Sequence, residues 1–221
     1  MIGKISPSIM CVDFIHLEDS VRALEEASVE YIHVDIMDGR FVPNFTLGPD
    51  FIRALRSITS IPLDFHLMIN EPENHIQVFD PQPGDIVTIH QEATTHLQRT
   101  LQQIKDFGAK AGVALNPATS IHTIEDVVDD LDMILIMTVN PGFAGQKLVP
   151  ATLRKIKRLR EYLNNNGYSH IEIEVDGNVS FENAKMMRES GANIFVAGTS
   201  SIFKKDQDIR TLTQELRNWI A

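Results

Sequence analysis

Residues 31–39 read Tyr31-Ile32-His33-Val34-Asp35-Ile36-Met37-Asp38-Gly39. The run is apolar and β-branched enough to be a strand, yet it carries a histidine and an aspartate. Successive strand residues face opposite sides, so His33, Asp35 and Met37 share one face while Val34 and Ile36 take the other and pack against helices.

Runs of the same kind recur on both sides of it, at Lys4–Ile9, Leu63–Ile69, Ile86–Ile89, Ala111–Leu115, Met133–Val139, Ile171–Val175 and Ile194–Ala197. Such short, nearly continuous apolar runs read as buried parallel strands. Between them lie segments with helical spacing. Leu17, Val21, Leu24 and Ala27 mark one, and Leu97, Leu101, Ile104 and Phe107 another, stopped by Gly108. Leu153, Ile156, Leu159 and Leu163 mark a third, opened by Pro150 and closed by Asn166-Gly167. Ser180–Ser190 forms a fourth with Ser180 as its cap, and Asp208–Ile220 closes the chain. Weaker helical patterns cover Pro49–Ser57, Pro72–Phe79 and Thr119–Val128. Eight strands alternating with eight helices, with no linker between blocks, predict a single (β/α)8 barrel, the TIM barrel, over residues 1–221. The rival, a doubly wound open sheet, usually needs fewer strands, and no GxGxxG opens the first helix.

Composition narrows the function. The 221 residues carry a net charge of −10, with 43% hydrophobic and 23% charged residues and one cysteine. That charge opposes nucleic-acid binding. No apolar stretch is long enough to cross a bilayer, so no membrane role is expected. The first ten residues show no secretory leader, and the lone Cys11 cannot staple the fold, so a reducing cytoplasm is the expected compartment.

Chemistry in such a barrel sits at the carboxyl ends of the strands. The second strand brings His33, Asp35 and Met37 there; the third, Asp64-Phe65-His66-Leu67-Met68, brings His66 and Met68 on one face. The seventh places Glu172, Glu174 and Asp176 on one face. If these faces look inward, two histidines and two aspartates converge, a donor set suited to zinc, iron, manganese or cobalt. Any one of them alone is read as a satisfied core residue; together, their desolvation calls for a cation or a reaction.

Three further segments suit an anion: Asn140-Pro141-Gly142-Phe143-Ala144-Gly145-Gln146, then Asp176-Gly177-Asn178, then Gly198-Thr199-Ser200-Ser201. Glycines let backbone N–H groups approach a ligand, and a short helix start at Ser200–Phe203 would aim its positive end there. Each glycine alone is a turn former; three such loops, two at the usual phosphate position of a barrel, point to a phosphate. No lysine ends a strand, since Lys4 and Lys110 begin theirs and Lys147 lies in a loop, which argues against Schiff-base chemistry. Cys11 reads as packing rather than a nucleophile, and His16, His75, His90, His96, His122 and His170 read as structural or surface residues without a partner pattern.

The stretches ISPSIMCVDF, HVDIMDGRFVPN, DFHLM, LNPAT, IMTVNPGFAGQ, EVDGN and VAGTS, spread from residue 5 to about residue 203, resemble the ribulose-phosphate 3-epimerase family. The resemblance implies a (β/α)8 barrel that inverts C3 of a phosphorylated ketose. It implies one divalent metal ion on His33, Asp35, His66 and Asp176, with Asp35 and Asp176 as the acid/base pair. It also implies substrate contacts from Ser8 and His66, and a phosphate held by Gly142, Phe143, Ala144, Gly145, Gly177, Asn178, Gly198 and Thr199. Met37, Met68 and Met137 match methionines beside the reacting carbons. The family commonly assembles as homo-oligomers, and the stripe Leu212, Leu216, Trp219 serves either barrel packing or a subunit contact.

This chemistry is self-consistent. Epimerisation alpha to a carbonyl removes a proton from one face and returns one to the other, work for one ionised and one protonated carboxyl. A cation would stabilise the enediolate, and thioethers would keep water from it. Met10-Cys11, Gly142-Phe143-Ala144-Gly145-Gln146 and Gly198-Thr199-Ser200 resemble D-allulose-6-phosphate 3-epimerases, while Ala144, Asn178 and Thr199 depart from the GFGGQ, DGG and GS-Ala patterns typical of pentulose enzymes. The expected substrate therefore tilts to D-allulose 6-phosphate / D-fructose 6-phosphate, with D-ribulose 5-phosphate / D-xylulose 5-phosphate as the alternative. A barrel lyase would want a lysine beside the aspartates, and a non-catalytic phosphosugar sensor a damaged aspartate pair; neither feature is present.

Overall fold

The computed structural model describes residues 3–221; the reading of the first ten residues as leaderless falls in part on Met1 and Ile2, outside them. Eight parallel strands form one sheet: β1 Lys4–Pro7, β2 Ile32–Met37, β3 Leu63–Met68, β4 Ile86–His90, β5 Lys110–Leu115, β6 Met133–Met137, β7 Glu172–Asp176 and β8 Ile194–Ala197. They run in the order β1-β8-β7-β6-β5-β4-β3-β2. Among the described residues the ends of that order meet through a single bridge, Ser8 to His33, and the Glu30 N–H donates to Ile5 O at 3.3 Å beside it. The sheet therefore closes into the expected (β/α)8 barrel.

Two apolar layers hold it. Outward-facing strand residues, among them Val34, Ile36, Phe65, Leu67, Val175 and Phe195, pack under the helices. Inside, a smaller cluster of Ile86, Ala114, Met133, Leu135, Met137 and Ile194 fills the base. The upper interior is polar: Ser8, His33, Asp35, Asp64, His66, His90 and Glu174 are all buried.

Among the described residues the helical layer contains six α-helices: α1 Leu17–Glu26, α2 Pro49–Ile58, α3 Leu97–Asp106, α4 Ala151–Asn165, α5 Phe181–Glu189 and α6 Ile209–Trp219. Ser180 caps α5 by accepting from the Asn183 N–H, as its position suggested. Two expected helices are not α-helical. Pro72–Phe79 divides into 3-10 turns at Pro72–Asn74 and Ile76–Phe79, bracketed by Glu71 and Asp80 in the left-handed region. Thr119–Val128 becomes a 3-10 stretch, Ile121–Asp130, because β-branched residues and closing aspartates disfavour an α-helix while Ile121, Ile124 and Val128 still reach the core. Residues 200–203 form one turn folded onto Gly198 O, too short for the helix start expected there. On α6, Leu212 and Leu216 are buried, and Trp219 lies half-exposed with its ring stacked on Phe181. No helix among the described residues is long and apolar enough to cross a membrane.

Candidate active site

Parallel register assembles the site. β2 and β3 pair so that Asp35 lies beside His66 and Met37 beside Met68; β6 and β7 pair Met137 with Asp176. Neighbours in register point to the same side, so the strand pattern alone brings His33, Asp35 and His66 together and sets Asp176 across the mouth from them. One ligand atom from each of these four residues lies within 4.8 Å of the others.

The cluster suits a metal ion. His33 Nε2 is buried, has no hydrogen-bond partner and stands 3.4 Å from Asp35 Oδ1. The other nitrogen of that ring, Nδ1, is held by Asp64 Oδ2 at 2.7 Å, and Asp64 in turn accepts from the Ser6 hydroxyl. A carboxylate behind a histidine is the usual way a ligand ring is oriented. His66 Nδ1 faces Asp35 Oδ1 at 3.3 Å and Asp176 Oδ2 at 3.7 Å. Two imidazole nitrogens and two carboxylates could therefore hold a divalent cation.

The two aspartates differ in acidity. Burial works against an ionised Asp35, but His33 and His66 outweigh it and hold this carboxyl well below the usual range. The Ser8 hydroxyl also donates to Asp35 Oδ2 at 2.5 Å. Burial first, and the Asp35 charge second, push Asp176 up to about 6. Burial likewise opposes a charged His33, yet Asp64 and Asp35 hold that ring well above the ordinary histidine value. Beneath them burial, and then the Asp64 charge, push the fully buried Glu174 carboxyl well above the usual carboxylate range.

A cleft open to solvent lies over this cluster. Ser8, Asp35 and Asp176 form its floor with Met37, Met68 and Met137, and all three glycine-bearing loops line its rim. Gly177 (φ +113°) and Asn178 (φ +51°) are both left-handed, a bend that Asn183 fixes by donating to Asn178 O and Oδ1. Gly142 (φ +116°) turns the loop after β6, which Asn44 ties down by donating to Gly142 O at 2.9 Å. Phe143 projects from this loop, half-exposed. The candidate metal ligands lie in the cluster and the candidate phosphate-loop residues and methionines line the cleft, whereas Glu172 turns to Lys4 at the amino end of the strands. Cys11 lines the wall as a thiol, which burial and the Asp35 charge push up to about 11.

One reading needs correction. Five of the histidines set aside, His16, His75, His96, His122 and His170, are exposed, but His90 is fully buried, with Nε2 2.9 Å from His66 Nε2. Its position at the carboxyl end of a strand, with Glu92 two residues on, was the available signal.

The sequence profile described as the ribulose-phosphate 3 epimerase family matches residues 4–203. The chain belongs to the ribulose-phosphate 3-epimerase family. As a member it is an isomerase of the epimerase type. The Bacillus subtilis ribulose-phosphate 3-epimerase is 47% identical over 204 residues, covering 92% of this chain and 94% of its own. The chloroplastic ribulose-5-phosphate-3-epimerase of Arabidopsis thaliana is 49% identical, over 91% of this chain and 72% of its own. Among solved structures, KGPDC from Streptococcus mutans superposes with a TM-score of 0.72 at 15% identity, over 100% of this chain and 98% of its own, a likeness of fold alone.

Proposed function

We propose that this chain interconverts D-ribulose 5-phosphate and D-xylulose 5-phosphate by inverting C3, with Asp35 and Asp176 as the acid/base pair. The observation that carries the reading is the pair of carboxyls of unlike acidity at the floor of one cleft, one ionised and one near 6. A carboxylate takes the C3 proton from one face of the sugar, and a carboxylic acid returns one to the other; in the reverse direction they exchange roles. The Ser8 hydroxyl keeps Asp35 aimed into the cleft. A divalent cation held by His33, Asp35, His66 and Asp176 would stabilise the negative charge of the enediolate. Met37, Met68 and Met137 wall the reacting carbons from water. The loops carrying Gly142 to Gly145, Gly177, Asn178, Gly198 and Thr199 hold the phosphate through backbone N–H groups, which fixes the distance from phosphate to C3.

The hexulose phosphate expected from Ala144, Asn178 and Thr199 gives way to the pentulose. Relatives at 41–49% identity, which carry the ribulose-phosphate name, support that choice. The test compares kcat/KM on D-ribulose 5-phosphate and D-allulose 6-phosphate and follows solvent deuterium into C3. A higher value for the pentulose with labelled product is expected. A higher value for the hexulose overturns the substrate, and unlabelled product overturns the mechanism.

A further inference from the structure

His66 is gripped from behind as well as from the cleft. While its Nδ1 faces Asp35 and Asp176, its Nε2 sits 2.9 Å from His90 Nε2. Two ring nitrogens at that distance share a single proton: one donates and the other accepts. Which does which is decided farther out. His90 Nδ1 lies 3.3 Å from Glu92 Oε2, and an ionised carboxylate only accepts. Glu92 is itself pinned, because its Oε1 accepts the Asn116 N–H at 3.0 Å and the Thr119 hydroxyl. His90 therefore carries its proton on Nδ1, presents a bare Nε2, and accepts from His66 Nε2–H. That leaves His66 Nδ1 as the nitrogen turned to the cluster. The rings are stacked into place: His66 and His90 have centroids 5.0 Å apart and Phe41 covers His90 at 4.6 Å.

We propose that His90 and Glu92 are positioning residues, a hydrogen-bond relay that fixes the tautomer and ring plane of His66 so that Nδ1 faces a bound cation. The inference rests on the metal-dependent reading above. It gives the His66 ring a backing equivalent to the one Asp64 gives His33, but built from two residues because β4 interposes an imidazole between the ligand and the nearest carboxylate.

Two-bond ¹⁵N–¹H spectra of the metal-free wild type, with labelled histidines, read the relay directly. His90 is expected as the Nδ1–H tautomer with Nε2 bare; a His90 protonated on Nε2 overturns the proposal whatever the variants do. Zinc competition against a chromophoric chelator is the second readout. His90→Leu and Glu92→Ala are expected to weaken zinc binding by about 10–100-fold, while His90→Gln, whose amide oxygen accepts from His66, stays within about threefold of wild type. A folded His90→Leu that binds zinc as tightly as wild type also overturns it. A wild type that takes up no zinc while His90 shows the expected tautomer overturns the metal-dependent reading instead and leaves the relay's polarity supported.

Discussion

Two aspartates at the mouth of one barrel sit in surroundings that pull their acidities apart, Asp35 down against two histidines and Asp176 up to about 6 by burial and the Asp35 charge. If they divide proton removal and return, Asp35→Asn and Asp176→Asn should each lower kcat by about 10²–10⁴-fold or more while circular dichroism stays native. Wild-type turnover in either would remove that residue from the acid/base pair. Stability should move the other way. In the metal-free protein Asp176 keeps its proton up to about 6, whereas an unfolded aspartate loses it near 3.9. Between those values the folded chain holds more protons, so stability falls as pH rises, and above about 6 the penalty is complete. Metal-free Asp176→Asn should thus be more stable than wild type at neutral pH, by up to about 3 kcal/mol, and gain nothing near pH 3.5, as urea denaturation would show. The four clustered residues were legible because each sits on the alternate positions of a strand that ends at the mouth. His90 was not, since Glu92 two residues on is a weak signal by itself and the deciding partner, His66, becomes a neighbour only when β3 and β4 lie side by side.

At the scale of elements, the strands and the better-spaced helices followed from apolar periodicity, which burial enforces. The 3-10 stretch Ile121–Asp130 did not, because a spacing of three residues fits both helix types and local propensity decides between them. The rim loops show the same division. Composition marked them as glycine-rich, but only the fold says which glycine is obligatory. A Cβ on Gly177 would stand 2.5 Å from Val139 Cγ2 at φ +113°, whereas Gly145 at φ +79° has nothing within 4 Å. Gly177→Ala should therefore cost about 1–3 kcal/mol and raise KM more than it lowers kcat, since it displaces the phosphate rim and not the floor. Gly145→Ala carries only the backbone term, about 1–2 kcal/mol at most. Equal KM values for the two variants would contradict this.

For the whole molecule the weakest join is between β1 and β2. Its ladder is one bridge, Ser8 to His33, and the Glu30 side chain makes up the shortfall: Oε2 accepts the Ile5 N–H at 2.8 Å, and Arg217 of α6 holds Oε1 at 2.7 Å. Glu30→Ala leaves that buried N–H without a partner and should lower unfolding free energy by about 1–3 kcal/mol, measured by denaturant titration. An unchanged midpoint would mean that the join closes without help. Because Ser8 and His33 face each other across this join, whatever immobilises the His33 ring also fastens the two ends of the sheet. A chelated sample should accordingly exchange the amide protons of Ile5 and Glu30, which are bonded across this join, faster than a loaded one, while those of β5, on the far wall, keep their protection. The cation would then act as the eighth rung of the barrel's wall as well as a participant in its chemistry.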